Sequence, residues 1–472
     1  MFRKTVGVFA PSASSGRSSV VVEPLEGSRN GNGKRIVIST FGSLGDLHPY
    51  IALALGLQAR GHRAVIATSG FYRPKVEALG IGFASVRPDK PDTDADPDLM
   101  RRIMDQRQGT ETVICELLMP VLRQSYDDML AAAEGADLLV GHPLTYTTRL
   151  VAEKRGLLWA STLLQPIGFL SAYDPPVLPP APFLEHLRFL GPVFHRMLFG
   201  VGKWSVRAWS APWHRLRAEL GLPAIPDSPL FEGQHAPGLV LAMFSPLFAP
   251  KQRDWPPQTA VTGFAFYDHD GEAELSSELQ RFLDAGPPPI VFTLGSSAVM
   301  DAGSFYEHSA AAAKLLGRRS VLLVGKETNN RPAALPEGAI AVDYAPYSKL
   351  FPRAAAIVHQ GGVGTTAQAM LSGRPMLVMP YGHDQPDNAA RLRRLGISRT
   401  LPRSRYTPER AAAELRQLLE QPTYGVRAAE VGQRVAQEDG VSAACDALEG
   451  LLGSSALGTQ ATRPQLPRSP IH

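Results

Sequence analysis

The sequence predicts an α/β protein of two doubly wound halves, each a parallel sheet with helices on both faces. A strand–helix–strand–helix–strand grammar opens at Arg35 and runs to Val86, and the same grammar restarts near residue 290. Strands joined through helices pair in parallel, because the crossover returns the chain in the same direction. Between the halves, residues 223–289 are rich in proline, including Pro256-Pro257 and Pro287-Pro288-Pro289.

The elements follow in order. RIVIST, from Arg35, is an apolar run closed by small polar residues and reads as a buried strand. The loop FGSLGDLHP comes next; Pro49 sits where a helix can start, and YIALALGLQAR runs to Gly61, a natural C-cap. HRAVIAT is a second strand, a short helix covers Pro74–Leu79, and a third strand covers Gly82–Val86. In the second half, PIVFTLGSS is a strand entering a Gly/Ser loop, Ser304–Leu316 is a helix ended by Gly317, and SVLLVG, AIAVDY, AAIVH and PMLVMP are strands. Between the last two, GGVGTTAQAMLSG carries Ala367, Met370 and Leu371 at i, i+3 and i+4, the apolar stripe of a helix. Residues 160–260 are less regular and more aromatic, as suits a cleft lining. The expected organisation is a disordered leader (1–34), a first domain (35–264), a linker (265–288) with a charged helical connector, a second domain (289–425), helices returning to the first domain (426–452) and a disordered tail (453–472).

Composition bounds the function. The 472 residues suit two or three domains at about 100–200 residues each. With 44% hydrophobic and 19% charged residues the chain is globular, and it has no apolar run long enough to span a bilayer. Forty-eight Lys+Arg against 44 Asp+Glu leave +4, too small an excess for a dedicated nucleic-acid binder. The apolar stretch Val6–Ala10 is too short for a signal peptide. Cys115 and Cys445 are far apart and outside any CxxC, which excludes a disulfide scaffold and a structural zinc site and points to a reducing cytosol.

Three segments carry chemistry. Val358-His359-Gln360-Gly361-Gly362-Val363-Gly364-Thr365-Thr366 follows a strand and opens a helix. Its glycines let backbone approach a ligand, its first N–H groups favour an anion, and His359 can donate to a phosphate oxygen; the bland alternative is a tight turn with a satisfied histidine. Pro380–Asn388 lies at another strand's C-terminal end, where Asp384 and Gln385 offer an acceptor and a two-way amide for sugar hydroxyls; helix N-capping by Asp384 explains it equally well. Gly42–Pro49 places Gly45, Asp46 and His48 at the end of the first strand, and taken alone Asp46 suits a helix N-cap better than a base. Ser296 and Ser297 can add hydroxyls to a phosphate site or be plain turn residues; Tyr344 can stack on a base or fill the core. Asp92, Asp94, Asp96 and Asp98 lack the glycine and glutamate of a calcium loop and read as a solvated acidic loop. Residues 183–217 mix aromatics with Arg and Lys; solvated basic helix faces are the favoured explanation, a membrane surface or a lipophilic acceptor the other.

Together these segments resemble the GT-B nucleotide-sugar glycosyltransferases, the family of sterol glucosyltransferases, antibiotic glycosyltransferases and UDP-glycosyltransferases, over about residues 35–450. VDYAPYSKLFPRAAAIVHQGGVGTTAQAMLSGRPMLVMPYGHDQPDNAARLRRLG is similar to the donor signature nearly end to end. STFGSLGDLHPYIALALGLQARGHR, FSPLFAPKQRDWPP with VTGF, and ELQRFLDAGPPPIVFTLGSS are similar to the rhamnosyltransferases of rhamnolipid synthesis. The resemblance implies two doubly wound Rossmann-like domains facing a central cleft, the first for the acceptor and the second for the donor. It implies that His359, Gly361, Gly362, Gly364 and Thr365, with Ser296 or Ser297, hold the diphosphate; that Asp384 and Gln385 hold the sugar; and that Tyr344 and Ala345 meet the base. It makes Asp46 the general base, with Gly45, His48 and His142 on the acceptor side. One departure stands out: where many plant and animal members carry an acidic residue for ribose, eight positions after the motif histidine, this chain has Ala367.

The expected activity is inverting transfer of a hexose from a UDP-glucose or dTDP-rhamnose type of donor to a hydroxyl of a lipophilic acceptor. No metal and no bound cofactor are expected. The expected partners are the nucleotide-sugar and the acceptor, in the cytoplasm, with peripheral contact at the inner face of the membrane as a further option. A sugar-nucleotide epimerase and a catalytically silent partner protein are the alternatives.

Overall fold

The computed structural model describes residues 33–89, 98–267 and 274–461. In it β1 (Arg35–Ser39), β2 (Arg63–Thr68), β3 (Gly82–Ser85), β4 (Leu138–Gly141), β5 (Leu158–Leu163), β6 (Val240–Ala242) and β7 (Thr259–Val261) form one parallel sheet in the order β3-β2-β1-β4-β5-β6-β7. β8 (Ile290–Thr293), β9 (Ser320–Leu323), β10 (Ala339–Val342), β11 (Ala356–His359), β12 (Met376–Val378) and β13 (Ser398–Thr400) form a second in the order β10-β9-β8-β11-β12-β13. Both sheets reverse direction of growth at one point, between β1 and β4 and between β8 and β11. Ligands of open α/β sheets bind outside the strand C-termini at such a point.

Both faces of each sheet are covered, which is why the strands read as unbroken apolar runs. Ile36, Val37, Ile38 and Val140 in the first sheet and Val291, Phe292, Ile357 and Val358 in the second have no exposed surface. The first helix is Leu44–Ala59. It begins before Pro49, contrary to expectation, because Ser43 caps it and its third residue, Asp46, returns a hydrogen bond to the Ser43 N–H. Pro49 lies inside the helix.

The domains are tied in both directions. The last helix, Gly440–Ala461, buries Ala444, Cys445 and Leu448 in the first domain's core, and Arg60 at the end of the first helix pairs with Asp446 and Glu449 at 2.5 and 2.7 Å. This helix continues to Ala461, so the expected tail does not begin at Gly453. In the other direction Met104 enters the second domain's core, and Asp174 pairs with the nearly buried Arg391, which also holds Asp387 at 2.8 Å. The Val177 N–H donates to Asp387 Oδ1 at 3.0 Å. Both cysteines are free. Among the described residues no helix is long and apolar enough to cross a membrane. The leader's residues 1–32 and most of the acidic run, with Asp92, Asp94 and Asp96, lie outside the described residues.

Candidate active site

The two switch points face each other. Asp46 follows β1 and His142 follows β4; Gly295-Ser296-Ser297 follow β8 and His359 ends β11. The domains meet at backbone level: a Cβ on Gly364 would lie 3.7 Å from the Gly45 Cα. Gly45 is the second residue of the first helix and Gly364 the second of the motif helix, Val363–Leu371. Two helix N-termini therefore converge on the cleft. The first is closed by the Ser43 capping box, with the Asp46 carboxylate in its first turn; the motif helix brings about half a positive charge and leaves its first N–H groups open to an anion. The motif helix's N-cap is Gly362, which has no side chain to satisfy those donors.

His359 sharpens the anion site. It has no exposed surface, and burial pushes its pKa down to about 3, so the ring is neutral. Its Nδ1 accepts the Gly361 N–H at 3.1 Å. A neutral imidazole accepting at Nδ1 carries its proton on Nε2, and that Nε2 has no partner. The satisfied-histidine alternative therefore fails for one of its two nitrogens. An orphaned buried donor costs about 1–3 kcal/mol, which an incoming acceptor oxygen would relieve. Gly361 has φ +92°, and a Cβ there would meet Val378 Cγ1 at 2.9 Å, so glycine is needed to turn the strand into the helix. Buried Gln360 Oε1 and Thr366 Oγ1 are also without partners, while Thr365 is braced by the half-buried Tyr347, whose hydroxyl lies 2.9 Å from Thr293 Oγ1. Ser296 is exposed and Ser297 half-buried after the neighbouring strand β8.

Asp384 is the N-cap residue of Gln385–Arg394 by position, but its side chain caps nothing. Oδ2 accepts from Asn388 Nδ2 at 2.6 Å instead. Desolvation at the cleft floor raises its pKa to about 7; the Asn388 bond opposes this, and the Asp46 charge adds to it. That influence reaches across the domain boundary, as it does for His383, whose pKa burial lowers. His383 has φ +56°, an uncommon conformation for a non-glycine, and its Nδ1 lies 3.5 Å from Thr110 Oγ1 of the first domain. Gln385 is partly committed: its Oε1 accepts the Tyr381 N–H at 2.9 Å.

Asp46 is not an N-cap; Ser43 is. Asp46 Oδ2 accepts the Ser43 N–H at 2.8 Å and lies 3.3 Å from its hydroxyl, which leaves Oδ1 toward the cleft. His142, nearly buried, presents Nε2 to that Oδ1 at 3.7 Å. Its Nδ1 accepts the Leu144 N–H at 3.2 Å, which leaves Nε2 as the ring's donor. Gly42 keeps the carboxylate in place, since at φ +135° a Cβ would lie 2.2 Å from Asp46 Oδ2. The structure thus brings Gly45, Asp46 and His142 together but not His48. Two residues on from Asp46, His48 points off another side of the helix, 5.1 Å edge-on to the Tyr267 ring. Tyr344 is 58% exposed, which excludes the core alternative, while Ala345 is buried behind it. Gln360, Asn388, His383 and Thr110 carry no expected role in the sequence; only the i, i+4 spacing of Asp384 and Asn388 announces a contact.

Among the described residues no three or more His, Cys, Asp or Glu side chains form a group that could hold a metal ion. The segment 183–217 exposes apolar as well as basic side chains: Phe183, Phe189, Val193, Met197, Val201 and Trp204 are all more than 60% exposed, and Arg196, Arg207 and Arg215 are exposed beside them.

Comparison with known proteins agrees with this geometry. Residues 36–158 match the glycosyltransferase family 28 N-terminal domain, and residues 314–446 match the erythromycin biosynthesis protein CIII-like C-terminal domain. The chain is 36% identical over 428 residues to O-mycaminosyltylonolide 6-deoxyallosyltransferase of Streptomyces fradiae, spanning 88% of this chain and 97% of that one. It is 26% identical over 424 residues to a sterol 3-beta-glucosyltransferase of Arabidopsis thaliana, spanning 88% and 67%. The crystal structure of glycosyltransferase VinC in complex with dTDP shares the fold, with a TM-score of 0.62 at 20% identity over 89% of this chain and 100% of that one.

Proposed function

This chain belongs to the GT-B nucleotide-sugar glycosyltransferases, and we propose that within that family it is an inverting, metal-independent hexosyltransferase acting on a hydroxyl of a lipophilic acceptor. The observation that carries this is the cleft's own polarity. Two helix N-termini and the His359 Nε2–H meet at one end, Asp384 lies beside them, and Asp46 faces them from the other domain.

In this reading the donor diphosphate lies between the helix ends, with His359 Nε2 donating to a β-phosphate oxygen. Asp384, Asn388 and Gln385 hold the sugar. The acceptor hydroxyl attacks the anomeric carbon from the first-domain side, its proton passes to Asp46 Oδ1, and the bond to the β-phosphate oxygen breaks with inversion. His359 and the helix ends stabilise the charge that grows on the leaving diphosphate, a preorganised electrostatic effect. His142 orients Asp46 and supplies a proton-bearing nitrogen beside it.

A thymidine donor is favoured over a uridine one. Ala367 puts no carboxylate where a ribose 2′-hydroxyl would need an acceptor, and Ala367 is itself buried. A 6-deoxyhexose fits the name of the S. fradiae relative. The acceptor is expected to be a lipid or polyketide hydroxyl compound, as the relatives' macrolide and sterol names suggest.

The test is a thermal-shift panel of dTDP-rhamnose, UDP-glucose, UDP-GlcNAc, GDP-mannose and the free nucleotides. A ligand at 100 times its Kd stabilises the fold by about 2.7 kcal/mol. A larger shift with thymidine than uridine ligands is expected. A shift with uridine alone would overturn the donor preference, and no shift with any of them would overturn the assignment.

A further inference from the structure

The 182–208 segment carries a surface that glycosyl transfer does not explain. The helix Gly191–Ser205 buries His195 and Phe199 on one side. On the opposite side Val193, Met197, Val201 and Trp204 stand at i, i+4, i+8 and i+11, between 64% and 70% exposed. They form one stripe about 16 Å long at 1.5 Å per residue. Phe189, 79% exposed at the end of the preceding turn Pro182–Leu190, extends it. Single exposed apolar residues are ordinary, but an aligned row ending in a tryptophan and a phenylalanine is a contact surface.

Charge identifies the occupant. Between Glu185 and Glu219 the sequence holds six basic residues and no acidic one; Arg188, Lys203 and Arg217 pair with Asp174, Glu232 and Glu153, while Arg196, Arg207 and Arg215 pair with no acid among the described residues. Arg196 and Arg207 border the stripe and contact rings rather than acids, 5.3 Å from the Tyr173 centroid and 4.2 Å from that of Trp204. An apolar helix face edged by arginines and ended by aromatics is the pattern of a helix lying in a lipid interface. A second copy of the chain is disfavoured, since a two-fold contact through this face would bring arginine against arginine. We propose that this surface docks the protein on an anionic lipid surface. Within the same segment Glu185 pairs with Arg393 of the second domain, and Arg188 shares Asp174 with Arg391, so the docked face adjoins the interdomain cleft. Only the corollary that a lipophilic acceptor enters from that side rests on the proposed transfer reaction.

The experiment is co-flotation of the full chain with vesicles of phosphatidylcholine, alone or mixed with phosphatidylglycerol, without donor or acceptor. The wild type is expected to float with the anionic vesicles, less so as salt rises. The triple variant Val193→Ser, Met197→Ser, Trp204→Ser should lose about tenfold or more of that partition, while its melting temperature and its donor-induced shift stay unchanged. Arg196→Glu with Arg207→Glu should remove the preference for anionic vesicles. Equal partition of wild type and triple variant would overturn the proposal. So would concentration-dependent self-association of the wild type, abolished in the triple variant, without vesicle binding. None of these readouts depends on turnover, so a failed transfer assay leaves them interpretable.

Discussion

Replacing Asp384 with Asn should make the protein more stable and less active. In the free protein burial raises the Asp384 carboxyl from 3.8 to about 7. The folded state therefore holds a proton that the unfolded chain gives up near pH 4. For an acid whose folded pKa is raised, stability falls as pH climbs between the two values, and the full loss is present above the folded one. At about 1.4 kcal/mol per pKa unit the interval amounts to at most about 4 kcal/mol, and to about 2 kcal/mol once water remaining in the cleft screens the charge. Asn carries no such dependence, and its carbonyl can still accept from Asn388 Nδ2, which now lies 2.6 Å from Oδ2. Melting temperatures measured without ligand should coincide for the two proteins near pH 4 and differ by on the order of 5 °C at about pH 8, the variant higher. Because the Asp46 charge contributes to the shift, Asp46→Asn in the wild-type background should move the transition to lower pH. A gap that is the same at about pH 5 and pH 8, or a variant less stable throughout, would refute the reasoning.

Three further outcomes follow from the geometry. Asp46→Asn should slow turnover by roughly 10²–10⁴ with donor binding intact, since Asn retains the Ser43 contact but takes no proton; steady-state kinetics beside donor calorimetry checks this, and near-wild-type turnover would remove Asp46 as the base. His359→Ala should lower the rate by roughly 10²–10³ and weaken free nucleoside diphosphate more than free nucleoside, which competition binding can read; equal weakening of both would move the phosphate elsewhere. Gly42→Ala, whose Cβ would lie 2.2 Å from Asp46 Oδ2, should cost on the order of 10² in kcat by displacing the carboxylate while leaving the donor Kd unchanged; a crystal structure with Asp46 unmoved would contradict that cause.

Much of this site is local in sequence and so was legible there. The motif from Val358 to Thr366 shows its turn, its free N–H groups and its histidine in nine consecutive residues. The capping box was equally local: Ser43 and Asp46 stand three apart, but Pro49 drew the expected helix start too far downstream. The Asp46–His142 pairing was not local. It exists because β4 inserts beside β1, and β4 is a four-residue strand of the kind a local apolar count does not separate from a helix. β6, β7 and β13 have three residues each and are strands only because a neighbour pairs with them. Periodicity gave the helix at Gly191–Ser205 no direction either, because apolar residues occupy both of its sides and only the packed domain decides which one His195 and Phe199 bury.

In the proposed reading the free protein holds its donor site at an energetic disadvantage. Unmet donors lie at the motif helix N-terminus and at His359 Nε2. Beside them lies a carboxyl whose ionisation burial opposes, within the influence of a second carboxyl on the opposite domain. A nucleoside diphosphate sugar would answer both. Its phosphates need hydrogen-bond donors and positive potential, and its sugar hydroxyls are themselves donors that favour an ionised Asp384. The same polarity separates the two carboxyls by task. Asp384, held by Asn388 and short of water, suits gripping a hydroxyl that does not react. Asp46, its side chain 29% exposed and fixed at Oδ2 by Ser43, keeps Oδ1 toward the cleft, where in the proposed reaction the attacking hydroxyl would lose its proton.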